Sequence, residues 1–271
     1  MSAGMGVRLR QLGRVNRIAP NFIGSFLVVQ YAGSTSHGTY IPRDDPNHID
    51  DVDILGVWLP SRSNLLGLSP ASHWMQWDDE LDIVTYEVRK FATLLLKGNP
   101  NVLGMLWATD PEPLYTHPLW QPWIDNRDAF LSQRVYHSFS GYAYGQLSKL
   151  GRPNTRGYMG AERKELFTTH GYDIKNAAHC LRLLHMGVEL METGVLNVNR
   201  TGIDAEQLRE VKSGRWSLGQ VQREAERGFA RMRALRPTTS LPSAPDRDRV
   251  ESLVIDTLER AMAGIPALVP A

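Results

Sequence analysis

Three aspartates and a glycine-serine pair are the residues in this sequence whose types and spacing could do chemistry. Asp51 and Asp53 flank Val52 at the start of the apolar run 51–59, which Pro60 closes. Strand side chains alternate, so a strand here would put Asp51, Asp53 and Leu55 on one face and Val52 and Ile54 on the other. A third acid, Asp82, sits in the strand-like run Leu81-Asp82-Ile83-Val84. Upstream, Gly33-Ser34 ends a near-continuous apolar run over 26–32. Carboxylate oxygens are the donors that a hard divalent cation such as Mg2+ takes. A glycine lets the backbone approach a phosphate closely, and a serine adds a hydroxyl donor. Unpaired N–H groups at a following helix start would complete an anion site. Nucleotidyl transfer asks for this set. An acceptor oxygen attacks the α-phosphorus of a nucleoside triphosphate, pyrophosphate leaves, and two divalent ions stabilise the attacking and leaving oxygens. Gly-Ser and Asp-x-Asp are each common, and a solvated strand face is the ordinary explanation of the second. The ordered combination of strand, Gly-Ser, loop, Asp-x-Asp and a further strand aspartate is much rarer.

The elements that must position these groups can be read around them. A loop with Gly38, Pro42 and Pro46 joins the first two strands. A third strand is expected near 81–86. It passes into a helix with Val88, Phe91, Ala92 and Leu95 on one face, closed by Gly98, and Asn99-Pro100 opens another short helix. From about Leu131 the pattern is nearly all helical. Residues 131–150 carry Val135, Phe139, Tyr142, Ala143, Leu147 and Leu150 at helical spacing. Residues 174–193 form the clearest helix, started by Asp173 and stopped by Gly194. Asp204 and Ser217 are candidate N-caps, Ser217 with Gln220 as a capping box. A last helix spans about 246–263, and the Pro, Ser and Thr content of 236–245 reads as a linker.

The run Tyr31-Ala32-Gly33-Ser34-Thr35-Ser36-His37-Gly38, followed by Asp51-Val52-Asp53, resembles the signature of DNA polymerase β superfamily nucleotidyltransferases. More closely, the chain is similar to the bacterial and phage polymerase-β-like group associated with RNA ligase and RNA repair. Supporting stretches are 86–101 with its Lys97-Gly98-Asn99-Pro100 turn, Tyr158-Met159-Gly160, Gly171-Tyr172-Asp173 through Leu184, and Ser240-Leu241-Pro242. The resemblance implies an α+β fold, with a nucleotidyltransferase domain over 1–110 and a mostly helical domain over 111–271 that binds nucleotide and acceptor. It implies a triphosphate held by Gly33 and Ser34, and Mg2+ or Mn2+ held by Asp51, Asp53 and Asp82, which also form the catalytic set. Spacing of the third carboxylate varies across the superfamily, and Glu87 is the alternative, although it lies on the opposite strand face from Asp82.

On the helix over 174–193, Lys175, His179 and Arg182 recur at i, i+4 and i+7 and share a face. The face is either the solvent side of an amphipathic helix or a triphosphate-binding surface; the resemblance favours Lys175, and after it Arg182, as nucleotide contacts. His179 serves equally as a packed histidine. Lys149, Arg152, Arg156, Arg163 and Lys164, with Tyr158, fall in a Gly- and Pro-containing stretch that suits a phosphate backbone and a stacked base, or simply a solvated loop. His37 and His48 flank the motif. Arginines 215, 223, 227, 231 and 233 are interleaved with glutamates and read as solvated helix faces.

The bulk numbers are permissive. The 271 residues are 42% hydrophobic and 22% charged with a net charge of +1, ordinary for a globular protein, so charge alone demands neither nucleic acid nor membrane. The single cysteine, Cys180, excludes an intramolecular disulfide and a cysteine zinc cluster. No signal-peptide pattern, bilayer-length apolar run, Walker A loop or dinucleotide fingerprint occurs, and a cytoplasmic location is expected. The resemblance implies as partners a nucleoside triphosphate such as ATP and an RNA end, tRNA-like, with an RNA ligase or other repair protein alongside. A protein side chain or small molecule as acceptor, and a non-catalytic nucleotide-sensing or RNA-binding role, stay open as alternatives.

Overall fold

The computed structural model describes residues 24–42, 44–45, 48–68, 73–77, 81–151 and 161–263. Five strands build one sheet: β1 (Gly24–Tyr31), β2 (Val52–Pro60), β3 (His73–Trp77), β4 (Leu81–Glu87) and the short β5 (Tyr115–Thr116). Their order is β3-β4-β2-β1-β5, with β2 and β4 parallel and the other pairs antiparallel. The apolar run of β1 is central and fully buried at Leu27, Val28 and Val29. β2 begins at Val52, so Asp51 precedes the strand instead of opening it; its side chain is 62% exposed. β3 was not expected, because His-Trp-Met-Gln-Trp lacks the apolar alternation of a half-buried strand.

Register fixes what shares a face. Asp53 lies opposite Asp82, Leu55 opposite Val84 and Val57 opposite Tyr86, while Gln30 and Val28 of β1 face Leu55 and Val57. Alternation puts all of these on one side of the sheet. On the other side, Val29, Ile54, Leu81 and Ile83 form a small buried cluster.

β1 runs into α1 (Gly33–Ser36), a single helical turn; α2 (Arg62–Leu66) follows β2. After β4 come α3 (Val88–Leu96), which buries Val88, Phe91, Ala92 and Leu95 as its spacing predicts, and α4 (Pro100–Leu103), capped by Asn99 with proline in its first turn. Seven more helices complete the described chain: α5 (Gln121–Asp125), α6 (Arg134–Leu147), α7 (Ala161–His170), α8 (Ile174–Thr193), α9 (Ala205–Lys212), α10 (Leu218–Leu235) and α11 (Arg247–Met262). Helix α8 is their axis, packed against α6, α9 and α10. Gly187 allows this approach: a Cβ there would lie 2.9 Å from Met232 Cε and 3.1 Å from Phe139 Cβ.

Most helix signals hold. Asp173 accepts from the Asn176 N–H, Gly194 takes the left-handed C-cap of α8, and Ser217 and Gln220 form the capping box of α10. Three readings change. Asp204 stands at the N-terminus of α9 but caps nothing, because its carboxylate is taken by Arg200 and His185. The first long helix starts at Arg134, and its Tyr142 is half-exposed, bonded to Asn99. Segment 236–245 is not a free linker: Leu241 is buried, Pro242 accepts from the Gln133 N–H, and Thr239 donates to the Met191 carbonyl.

The main core is continuous from Val28 and Val57 of the sheet, through Phe91 and Trp123, to Leu184 and Leu253. Residues on both sides of position 110 contribute to it. Among the described residues no helix is long and apolar enough to cross a membrane.

Candidate active site

The β1–α1 junction is a sharp turn. Gly33 has φ +53°, and a Cβ there would fall 1.7 Å from Asp53 Oδ2. Glycine is required twice over, for the left-handed backbone and for the carboxylate pressed against it. The Ala32 N–H donates to the Asp53 carbonyl at 2.9 Å, which locks the turn to the first residues of β2. Ser34 Oγ and Thr35 Oγ1 are buried and make no hydrogen bond among the described residues. Two hydroxyls left in that condition are costly to a folded chain unless a ligand supplies the missing partners.

A cavity of about 350 Å³ opens at this turn, between the sheet face that carries Asp53 and the face of α8. Gly33, Ser34, Asp50 and Asp53 line one side of it. Lys175, His179 and Arg182 of α8 line the opposite side, and Lys212 of α9 joins the lining beside Asp50. Deeper in, Leu55, Val84, Tyr86 and Met105 supply an apolar wall. The size and mixed lining suit a small organic anion with an apolar portion.

Charge is balanced across the cavity. Burial pushes the Asp53 carboxyl up to about 6, with Asp82, Asp51 and Asp50 adding to the effect and Lys175 opposing it. Lys175 Nζ lies 3.2 Å from Asp51 Oδ2, a half-exposed pair that links α8 to the acids. Burial, helped by Arg200, lowers the Arg182 guanidinium to about 10 against the pull of Asp53 and Asp204; its Nη1 lies 3.3 Å from Met186 Sδ. Burial and the neighbouring Arg182, Lys149, Lys212 and Lys175 bring His179 down to about 3, so its imidazole is neutral at pH 7 and its buried Nε2 makes no hydrogen bond among the described residues. His37 is buried and held well below the usual histidine range, and its Nδ1–H donates to the Val198 carbonyl at 3.0 Å.

The structure thus brings Gly33, Ser34, Asp53, Lys175, His179 and Arg182 to one cavity. Asp51 and Asp82 border it, Asp51 through the Lys175 pair and Asp82 as the register partner of Asp53. Among the described residues no three His, Cys, Asp or Glu side chains are grouped as a ready-made metal site. Glu87 is elsewhere: buried, it caps α3 through the Lys90 N–H and pairs with Arg89 at 2.8 Å. His48 is turned to the Ile41 carbonyl. Cys180 is buried, and burial pushes its thiol up to about 12. Residues 152–160, with Tyr158-Met159-Gly160, and the side chains of Arg163 and Lys164 lie outside the described residues. Sequence reasoning missed Asp50 and Lys212. They form a buried ion pair at 2.8 Å in the wall of the cavity. Asp50 adjoins the Asp-x-Asp run, but nothing in the α9 sequence sets Lys212 apart from an ordinary helix-terminal lysine.

A family model described as RlaP, an RNA repair pathway DNA polymerase beta family, matches residues 10–256. The chain belongs to this family. Its α+β architecture is the one the polymerase β resemblance implies, and membership makes it nucleotidyltransferase-like and ties it to RNA repair. No curated protein matches. Among solved structures, a nucleotidyltransferase-like protein from Exiguobacterium sibiricum 255-15 aligns over 93% of this chain and 73% of its own, at 9% identity and a TM-score of 0.29. Within this polymerase β family member, the Gly-Ser turn and Asp53 are the parts of the signature that meet at the cavity, with Asp82 beside Asp53 in the sheet register.

Proposed function

We propose that this protein is a metal-dependent nucleotidyltransferase that moves a nucleoside monophosphate from a nucleoside triphosphate to a hydroxyl at an RNA end. One observation carries the reading. The parallel register sets Asp53 beside Asp82, with Asp53 packed on Gly33, directly across a nucleotide-sized cavity from Lys175 and Arg182.

The donor set fits Mg2+ or Mn2+. Asp51, Asp53 and Asp82 offer carboxylate oxygens only, and burial, with the neighbouring acids, raises the proton affinity of Asp53, a charge cost that a divalent cation would offset. Those three acids would hold the metal once Lys175 yields Asp51. When bound, the metal supplies charge neutralisation on the phosphate oxygens. The rest falls to the chain itself. The α1 turn and Ser34 Oγ bind the triphosphate tail, Lys175 and Arg182 face its charge, and the apolar wall around Leu55 and Val84 seats the nucleoside. The Asp82 carboxylate receives the proton of the acceptor hydroxyl. The family's place in RNA repair supports an RNA end as acceptor; a tRNA-like 3′ end and an RNA ligase partner are further parts of this proposal.

The test is transfer of α-labelled nucleotide from each of the four triphosphates, with Mg2+ or Mn2+, to tRNA, to synthetic RNA with a free 3′ hydroxyl, and to cell protein. The Asp51→Ala/Asp53→Ala variant is the control. Label on RNA that the variant loses is the expected result. Label on protein keeps the site and replaces the acceptor, whereas nucleotide binding without transfer to any acceptor overturns catalysis in favour of a sensor.

A further inference from the structure

The connection from Ala32 to Asp51 is long and contains a single helical turn among its described residues, so its ordering needs outside help. That help comes from a stretch more than 160 residues later. Five hydrogen bonds join residues 37–39 to residues 198–212, one of them a long contact from Lys212 Nζ to Thr39 Oγ1 at 3.5 Å. His37 Nδ1–H donates to the Val198 carbonyl (3.0 Å), the Arg200 N–H to the His37 carbonyl (3.0 Å), Arg209 Nη1 to the Gly38 carbonyl (2.6 Å) and Lys212 Nζ to the Thr39 carbonyl (2.9 Å). Lys212 Nζ also reaches both oxygens of Asp50 at 2.8 Å, while Asp50 Oδ2 accepts from the Ile41 N–H at 2.9 Å. The two segments are in tight contact: a Cβ on Gly38 would lie 2.4 Å from Thr201 Oγ1.

These bonds do not end in the loop. The His37 N–H donates to the Gly33 carbonyl at 3.2 Å, and the Thr39 N–H to the Ser34 carbonyl at 2.9 Å. His37 and Thr39 therefore each hold one residue of the Gly-Ser turn, and Gly38 between them donates its N–H to the Thr35 carbonyl of the same helical turn at 3.2 Å. At the other end, Asp50 is bonded to Asp51 through the chain itself, one residue ahead of β2.

We infer that Arg209 and Lys212 of α9 are positioning residues, which set the Gly33-Ser34 turn and the Asp51-Asp53 run at their spacing through the Gly38 and Thr39 carbonyls and Asp50. The catalytic part of this inference rests on the nucleotidyltransferase reading; the mechanical part does not. Arg209 suits a clean test because its side chain is 37% exposed and its other partner is surface Glu206 at 2.8 Å.

The experiment compares Arg209→Ala, Arg209→Lys, Lys212→Met and the control Glu206→Gln. Three quantities are read: melting temperature, amide hydrogen exchange of the peptide spanning 33–40, and nucleotide transfer with KM and kcat separated. Arg209→Ala is expected to melt within about 2 °C of the parent, speed exchange over 33–40, and lose roughly 10-fold or more in kcat, since small displacements of reacting groups are expensive. Arg209→Lys, which keeps a donor for Gly38, restores both readouts to within about 3-fold, and Glu206→Gln leaves them unmoved. Lys212→Met speeds exchange more strongly. Unchanged exchange and kcat in Arg209→Ala would overturn the inference, as would losses that track melting temperature alone without rescue by lysine. If the parent transfers no nucleotide, the nucleotidyltransferase reading falls, and the exchange data still decide whether α9 positions the turn.

Discussion

Replacing Asp53 with asparagine should make the folded protein more stable at neutral pH while removing its activity. Burial and three neighbouring acids raise its carboxyl from 3.8 to about 6. A carboxyl raised on folding contributes most stability below its unfolded value, where it is protonated in both states. That contribution is lost as pH climbs through about 6. The full displacement, from 3.8 to about 6, corresponds to about 3 kcal/mol, and partial access to solvent at the cavity trims the expected gain of Asp53→Asn to roughly 1–3 kcal/mol. For a chain of this length that is an increase in melting temperature of roughly 2–8 °C. The assay is thermal melting of both proteins from pH 4 to 8 without divalent ions, repeated with Mg2+ added. The advantage of the variant should be absent near pH 4, open between pH 4 and 6, and stay constant above. Mg2+ should raise the melting temperature of the parent at pH 8 and that of the variant much less. A variant that melts no higher than the parent at pH 8, or whose advantage is the same at pH 4, would refute the assignment of buried negative charge to Asp53.

Gly33→Ala should abolish transfer and destabilise by about 2 kcal/mol or more, because it adds left-handed strain to a Cβ that would overlap the Asp53 carboxylate; a folded, active variant in calorimetry and transfer assays would contradict the turn geometry. Glu87→Gln should cost about 1 kcal/mol through the α3 cap and the Arg89 pair, yet keep measurable transfer, which chemical denaturation and initial rates can separate. Loss of all transfer in that variant would instead return Glu87 to the list of third carboxylates. Lys175→Ala should move the Asp53 titration above about 6, since Lys175 is the cation that opposes the rise, and weaken triphosphate binding about 10-fold. Carboxyl NMR and equilibrium binding would report both, and an unmoved Asp53 titration counts against the pairing.

Much of the site was legible because it depends on local signals. Alternation along β2 and β4 put Asp53 and Asp82 on equivalent faces, and a glycine ending a buried strand marked the turn. The helical spacing of Lys175, His179 and Arg182 placed all three on one face, and tertiary packing then turned that face to the cavity. What stayed hidden depends on partners distant in sequence. That Asp82 lies in register with Asp53, and that Glu87 is engaged as a helix cap, becomes visible only once β2 and β4 are paired. Asp204 reads as a cap from its type and position, but buried Arg200 and His185 outbid the α9 N–H groups for its oxygens. β3 failed to announce itself because an edge strand needs no regular apolar face.

The bond from Lys212 to Asp50 also bears on the order in which the molecule can become functional. Its two ends lie 162 residues apart, and the donors to Gly38 and Thr39 stand 171 and 173 residues further along. During synthesis the sheet segment emerges first, and the bonds from α9 to residues 38, 39 and 50 can form only after α9 has followed. Contacts of such separation close slowly and late. A nascent or truncated chain would carry every residue of the signature and still lack an ordered site. If the turn binds nucleotide as proposed, that competence depends on completion of the fold through residue 212.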